Sequence, residues 1–188
     1  PLETRIAFCE SAALRPEYLY VDDLKSASAE ILAQAAARGF RIAFHPHAFM
    51  TIERLAHVES LFTAENPHLH WLPDTAHLYI VGGGFQEIDA ALTVARERLI
   101  AVHLKDWDPA YGRSYHRYAK GFVPLGRGNV PLERVLARLR ALAYDGWLVF
   151  EQDYARIPAD RCIADAARWL RERGVGLRAP RLPSPPVP

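Results

Sequence analysis

Four short apolar segments of the chain each end in side chains that can bind a metal ion. These segments are 41–47, 72–77, 99–106 and 147–153. Their imidazole and carboxylate groups suit Mn, Mg, Co, Zn or Fe, and no cysteine in them offers a thiolate. Helix-like segments separate the four, which is typical of parallel strands whose carboxyl ends meet where barrel enzymes hold their active sites. The pattern therefore predicts a metal-dependent enzyme.

Two of these ends carry histidine at short spacing. Asp74 and His77 form an Asp-x-x-His pattern, which places the carboxylate at the strand tip and the imidazole on the loop above it. His45 and His47 stand two residues apart, so both side chains can reach one pocket. The alternatives are a turn-forming aspartate at 74 and a surface pair of histidines in a loop rich in turn residues.

The other two ends place ionisable groups directly after apolar residues. His103, Lys105 and Asp106 leave a hydrophobic strand together, which is costly unless they line a polar pocket. Glu151 follows the apolar run 148–150 and needs a partner or a metal if it is buried. The alternatives are a structural histidine at 103 and a solvated loop that begins after Glu151.

Composition sets limits on the class of protein. The chain has 188 residues, half of them apolar, and a formal net charge of +1, which gives no general attraction to nucleic acid or to an anionic membrane. Cys9 and Cys162 are too few for a disulfide framework. No apolar run approaches the roughly 20 residues of a membrane span, and no signal peptide is evident. We expect a cytoplasmic protein with a small-molecule substrate.

Strand-like and helix-like segments alternate along the chain. A short strand is predicted at Ile6-Ala7-Phe8-Cys9, and further strands precede the four ligand-bearing ends. A helix from about Thr51 and a helix opened by Pro131 repeat apolar residues near the 3.6 period. A last helix runs from about Ala159 to Arg173, and a long polar and aromatic loop is predicted from Trp107 to Val130.

This alternation predicts an α/β fold of the TIM (β/α)8 type. The chain offers about five strand–helix units, whereas a closed barrel has eight. We therefore expect the C-terminal part of a longer barrel, with about 80 to 100 residues before Pro1, rather than an open structure that hides its edges by association. The barrel domain is predicted over 1–177, and the proline-rich segment 178–188 is predicted to be a disordered tail.

The order of the motifs resembles that of the xylose isomerase-like TIM barrels, the superfamily of sugar phosphate isomerases and epimerases and of AP endonuclease family 2. The motifs are Asp-Thr-Ala-His at 74–77, Val-His-Leu-Lys-Asp at 102–106, Leu-Gly-Arg-Gly-Asn-Val at 125–130, Tyr-Asp-Gly-Trp at 144–147 and Val-Phe-Glu-Gln-Asp at 149–153. The resemblance covers roughly His45 to Gly174. It implies that the chain carries the fourth to eighth strands of the barrel.

The resemblance also implies a role for each residue of the site. The implied ligands of a divalent ion (Mn, Co, Mg or Zn) are His45, Asp74, His103 and Glu151. The implied catalytic residues are Glu151, His77 and Lys105. The residues expected to contact a sugar or polyol are His47, Lys105, Asp106 and Arg117, although the loop that holds Arg117 could equally be an ordinary solvated loop.

One departure from the superfamily bears on the reaction. Epimerases and isomerases usually have a glutamate at the position of His45 and pair it with the eighth-strand glutamate to remove and return a proton. The His-x-His pattern here resembles the inosose dehydratases most closely, and these enzymes remove water from a ketone of myo-inositol. The resemblance thus implies a lyase acting through an enolate, with Glu151 or His77 as base and Lys105 or a histidine as acid. A ketose isomerase or 3-epimerase is the alternative.

Two further classes of protein share parts of this pattern. Endonuclease IV relatives bind a third metal through an aspartate and a histidine, at positions that hold Lys120 and Phe122 here, so a trinuclear cluster and a nucleic-acid substrate are disfavoured. The non-catalytic alternative is a truncated or decayed barrel that binds a polyol or another subunit without turnover, and a homo-oligomer is left open. The sequence leaves open the metal, the exact substrate and its phosphorylation.

Overall fold

A computed structural model describes residues 6–7, 21–50, 52–62, 66–112 and 115–176, with side chains from Ser28 onward except at 83 and 115–117. The strands are β1 (Ile6–Ala7), β2 (Arg41–Phe44), β3 (Leu69–Trp71), β4 (Ala101–Leu104), β5 (Asp106–Trp107), β6 (Phe122–Val123) and β7 (Trp147–Phe150). The helices are α1 (Val21–Ala37), α2 (Leu55–Glu59), α3 (Thr75–Leu78), α4 (Gly84–Val94), α5 (Pro109–Gly112), α6 (Leu132–Ala141) and α7 (Ala159–Glu172). Phe8, Cys9 and the predicted tail 178–188 lie outside the described residues.

The strands that precede the ligand-bearing ends run parallel. β1 pairs with β2 and β2 with β3, while β4 pairs with β7 so that Leu104 lies beside Phe150. Isolated bridges from Trp71 to Leu99 and from Asp74 to His103 connect the end of β3 with β4. The order β1-β2-β3-β4-β7 therefore brings the carboxyl ends of the strands to one edge. This confirms the predicted α/β arrangement.

The helices cover the sheet through their apolar faces. α6 buries Leu132, Val135, Leu136 and Leu139, and α7 buries Cys162, Ala166 and Leu170. Both helices lie where the sequence predicted them, and their buried positions recur at three- and four-residue spacing. Among the described residues, no helix is long and apolar enough to cross a membrane.

Two elements differ from the sequence prediction. The helix expected from about Thr51 begins at Leu55, because the side chain of Glu87 accepts a hydrogen bond from the Leu55 backbone N–H at 2.9 Å and so caps it from a distant part of the chain. The segment expected as a loop from Trp107 contains the antiparallel pair β5–β6. Trp107 packs tightly against Gly121 there, where an added Cβ would lie 2.1 Å from the indole nitrogen.

Candidate metal centre and active site

Asp74 connects β3 to the start of α3 and is fully buried. Its Oδ1 accepts hydrogen bonds from the backbone N–H groups of Ala76 and His77 at 2.8 and 2.9 Å, which caps α3. Its Oδ2 faces the opposite way and lies 3.2 Å from Lys105 Nζ. Although burial raises the pKa of this carboxyl, the neighbouring His77, His103 and Lys105 hold it far below its usual range. Oδ1 thus caps the N-terminus of α3, whereas Oδ2 is available to a cation.

His103 and Glu151 stand side by side at the ends of β4 and β7. His103 Nδ1 lies 2.5 Å from Glu151 Oε2 and 3.7 Å from Asp74 Oδ2. Burial lowers the pKa of His103, but the two carboxylates beside it outweigh burial and raise the pKa to about 9. Burial raises the pKa of Glu151, whereas His103 and Lys105 lower it to about 2. A proton on His103 therefore occupies the point between two carboxylates that a metal ion would take.

His45 completes a group of four. Its Nδ1 lies 3.3 Å from the Leu72 carbonyl oxygen, and burial lowers its pKa, so the ring is the neutral form that binds metals. One ligand atom each of His45, Asp74, His103 and Glu151 lies within 4.8 Å of the others. Ligand atoms around a tetrahedral Zn²⁺ ion are about 3.3 Å apart, so these four residues would hold a divalent cation after they move closer together.

Lys105 places a positive charge beside this group. Its side chain is fully buried, and its Nζ lies 3.1 Å from Glu151 Oε2 and from Asp153 Oδ1. Burial lowers the pKa of the ammonium, but the surrounding carboxylates raise it above its usual value. Three carboxylates face one ammonium and one imidazolium, so the cluster keeps an excess negative charge that favours a cation.

Thr75 ties Lys105 to the tip of β3. The Thr75 hydroxyl donates to the Lys105 carbonyl at 2.8 Å and accepts from the Lys105 N–H at 2.9 Å. These two bonds hold the backbone on both sides of the centre in register. The sequence pattern marks Thr75 only as a neighbour of Asp74, because a contact across 30 residues leaves no periodic signal.

His77 lies on α3 beneath the centre and is 1% exposed. Its Nε2 accepts a hydrogen bond from Lys105 Nζ at 3.2 Å and lies 3.7 Å from Asp153 Oδ2. Burial lowers its pKa to about 3, with the positive charge of Lys105 adding to the effect, so the imidazole is neutral. The His47 ring packs against it, with ring centroids 3.6 Å apart and ring planes tilted by 38°.

Asp106 has a different environment from the rest of the site. Its Oδ1 accepts from the N–H groups of Trp107 and Val130, and its Oδ2 accepts from those of Gly126 and Gly128, at 2.8 to 3.1 Å. Burial raises the pKa of this carboxyl although the four donors lower it. The carboxylate therefore holds the loop 126–130, and the substrate contact expected of it stays a prediction.

The structure does not test the role predicted for Arg117, and it gives Asp153 a contact that the sequence did not predict. The side chain of Arg117 lies outside the described part of the chain, so its expected substrate contact is untested. Asp153, for which the sequence predicted no role in the site, binds the Lys105 ammonium through both oxygens. Its spacing of two residues from Glu151, which puts both side chains on one side of an extended chain, is the signal that could have found it.

Parallel strands with ionisable groups gathered at their carboxyl ends are typical of TIM-barrel enzymes. A family model described as "Xylose isomerase-like TIM barrel" matches residues 5–173. The chain belongs to this family, as the order of its motifs predicted.

Among curated proteins, the inosose dehydratase of Salmonella typhimurium is 31% identical over 130 residues, a match that covers 63% of this chain and 42% of that protein. The inosose dehydratase of Erwinia tasmaniensis is 29% identical over 149 residues, covering 73% and 50%. The chain thus spans about half the length of the curated relatives it matches.

Solved structures of low identity share the fold. The 3-keto-D-glucoside 4-epimerase YcjR of E. coli has a TM-score of 0.62 at 21% identity, and the match covers 89% of this chain and 63% of that one. The IOLI protein with a binding zinc atom has a TM-score of 0.63 at 14% identity, covering 89% and 61%.

Proposed function

We propose that this chain carries the metal-binding part of a divalent-metal-dependent enzyme that eliminates water from a keto-polyol of the inosose type through an enolate. The observation that carries the proposal is the convergence of His45, Asp74, His103 and Glu151 beside the buried Lys105–His77 pair. The likeness to inosose dehydratases supports the substrate class. A small sugar or polyol is the partner that this site suits, in a cytoplasmic protein that forms monomers or homo-oligomers.

The four ligands define what a metal would contribute. A divalent cation held by them supplies a Lewis acid for the ketone oxygen of the substrate. Two imidazoles and two carboxylates favour Mn, Co or Zn over Mg, which prefers oxygen ligands alone. The zinc atom bound in the IOLI structure agrees with this choice.

The proton transfers fall to the residues beside the ligands. Neutral His77 takes the proton from the carbon next to the ketone, and the Lys105 ammonium gives a proton to the hydroxyl that leaves as water. When the Lys105 ammonium turns toward the leaving hydroxyl, its charge moves away from His77 Nε2, which frees the lone pair of that nitrogen and strengthens His77 as a base. The direct contact of 3.2 Å between Lys105 Nζ and His77 Nε2 then lets the proton return from the imidazole to the amine.

A ketose 3-epimerase is the second candidate. It needs two groups that remove and return a proton on the same substrate, and His77 together with Glu151 would have to fill both roles. The presence of an ammonium among these groups favours elimination, because a departing hydroxyl requires an acid whereas epimerisation returns its proton to carbon.

The test is turnover of the purified, metal-loaded chain with an inosose and with a ketose. We expect loss of one water from the inosose, detected by mass spectrometry, and no epimerised ketose. Lys105→Met should lower kcat by about 10²-fold or more, since general acid catalysis contributes about that factor. Its matched control is Lys120→Met, because Lys120 is an exposed lysine.

Each outcome bears on the proposal. Ketose epimerisation without dehydration would replace it by the second candidate. Absence of both activities in a folded, metal-loaded chain would contradict catalysis by this chain and favour the binding alternative. Equal activity of the Lys105 variant and the wild type would remove Lys105 from the mechanism.

A further inference from the structure

A second group of potential ligands adjoins the four-residue centre. It consists of His47, His77 and Asp153, whose ligand atoms lie within 4.8 Å of one another. The three side chains come from separate parts of the chain: the loop after β2, helix α3 and the loop after β7. None of them belongs to the first set of ligands, so the two groups share no ligand.

The two imidazoles are in contact, and each has a ring nitrogen within 4.8 Å of an Asp153 oxygen. Their ring centroids are 3.6 Å apart, and the His77 ring is 1% exposed. His77 Nδ1 is a buried nitrogen without a hydrogen-bond partner in the described part of the chain, and His77 Nε2 points toward an Asp153 oxygen at 3.7 Å. Because Nε2 accepts from Lys105, the proton of the neutral ring is on Nδ1, so Nε2 is the atom of His77 that can bind a cation.

A positive charge already contacts this group. Lys105 Nζ lies 3.2 Å from His77 Nε2 and 3.1 Å from each oxygen of Asp153. The site therefore accommodates a cation, and the ammonium shares two of its three ligands. A metal ion entering here has to move the ammonium away, toward Glu151 and Asp74, which it also contacts at 3.1 and 3.2 Å.

We propose that His47, His77 and Asp153 form a second divalent-cation site that the Lys105 ammonium and a metal ion occupy in competition. Imidazole and carboxylate ligands suit a transition metal of the Zn or Co class. Three protein ligands leave a fourth position open, which a substrate hydroxyl or a water molecule fills. A metal ion on His77 Nε2 would break the contact of that nitrogen with Lys105, so the second site would inhibit the proton transfers of the proposed function, on which this consequence rests.

The test is a titration of the metal-free chain with Co²⁺, followed by visible absorption and by elemental analysis after desalting. We expect about two equivalents bound at saturation in the wild type, the second one weaker. His47→Gln and Asp153→Asn should each lower the total to about one, without changing the tighter site. His57→Gln and Asp160→Asn serve as matched controls, because both residues are exposed.

The competition gives an independent readout. Lys105→Met should tighten the second site by about tenfold or more, because an ammonium a few ångströms from a divalent ion repels it. Circular dichroism of each variant establishes that it is folded.

Two results would overturn the proposal. One is a single equivalent in both the wild type and the Lys105 variant at saturating Co²⁺. The other is a second equivalent that survives both His47→Gln and Asp153→Asn. The titration does not depend on turnover, so failure of the dehydratase assay and failure of the second site are separate results.

Discussion

Replacing Asp106 by Asn should destabilise the fold without removing the metal centre. The carboxylate of Asp106 accepts four backbone hydrogen bonds and is 1% exposed. An amide keeps an oxygen for two of these donors and turns an NH2 group toward the other two. Each buried N–H left without a partner costs about 1 to 3 kcal/mol.

Two effects reduce the total cost of this substitution. Gly126 is exposed, so water can reach its N–H when the carboxylate no longer accepts from it. Burial also raises the pKa of Asp106, so a neutral amide removes part of the free energy needed to bury a charge there. We therefore expect a loss of about 2 kcal/mol, since one unsatisfied donor carries most of it. For a chain of this size that corresponds to a fall in Tm of about 4 to 8 °C.

Thermal and urea unfolding followed by circular dichroism measure this loss. Asp108→Asn is the matched control, because Asp108 accepts a single hydrogen bond from the Ala110 N–H in an exposed position and should cost under about 1 kcal/mol. Unchanged stability of the Asp106 variant, combined with a large rise in KM, would refute the structural reasoning and favour the substrate contact expected from the sequence.

Two further substitutions and one change of pH test other parts of the structure. Thr75→Val removes both hydrogen bonds to the Lys105 backbone and should cost about 1 to 3 kcal/mol in urea unfolding, whereas Thr93→Val, within a helix, should cost under about 1 kcal/mol. Gly121→Ala places a methyl group against Trp107 and should lower the free energy of unfolding by about 1 to 3 kcal/mol or more. Gly176→Ala has open space around the added methyl group and should leave stability unchanged. Equal melting curves for the two variants would contradict the packing of Trp107 against Gly121. Metal affinity should rise about tenfold per pH unit between about pH 7 and pH 9, because a metal displaces the proton that His103 holds with a pKa of about 9. Calorimetry in buffers of different ionisation enthalpy should detect about one proton released per metal bound. Release of no proton would contradict the assignment of His103 as a ligand.

The parallel strands and their ligand-bearing ends were predictable because both follow from local pattern. Apolar runs of strand length, each ending in a ligand-forming residue, indicate elements whose carboxyl ends share an edge. α6 was predictable for the same reason, since its buried residues repeat within ten positions.

The contacts that the sequence did not predict are all distant along the chain. Asp153 binds Lys105 across 48 residues, and Asp106 binds N–H groups as far away as Val130. The start of α2 depends on Glu87, which lies 32 residues beyond Leu55. Residue type alone does not distinguish a carboxylate that faces the metal centre from one that holds a loop.

The most direct test of the metal centre is the metal content of the purified chain after expression with Mn, Co and Zn supplied. We expect about one equivalent or more of a divalent transition metal in the wild type, and about one equivalent less in both His45→Ala and Asp74→Asn. The Asn variant keeps an oxygen for the N–H groups that start α3, and Glu97→Gln, an exposed substitution, should match the wild type. No metal in the wild type, or equal metal in all four proteins, would contradict the assignment of the centre.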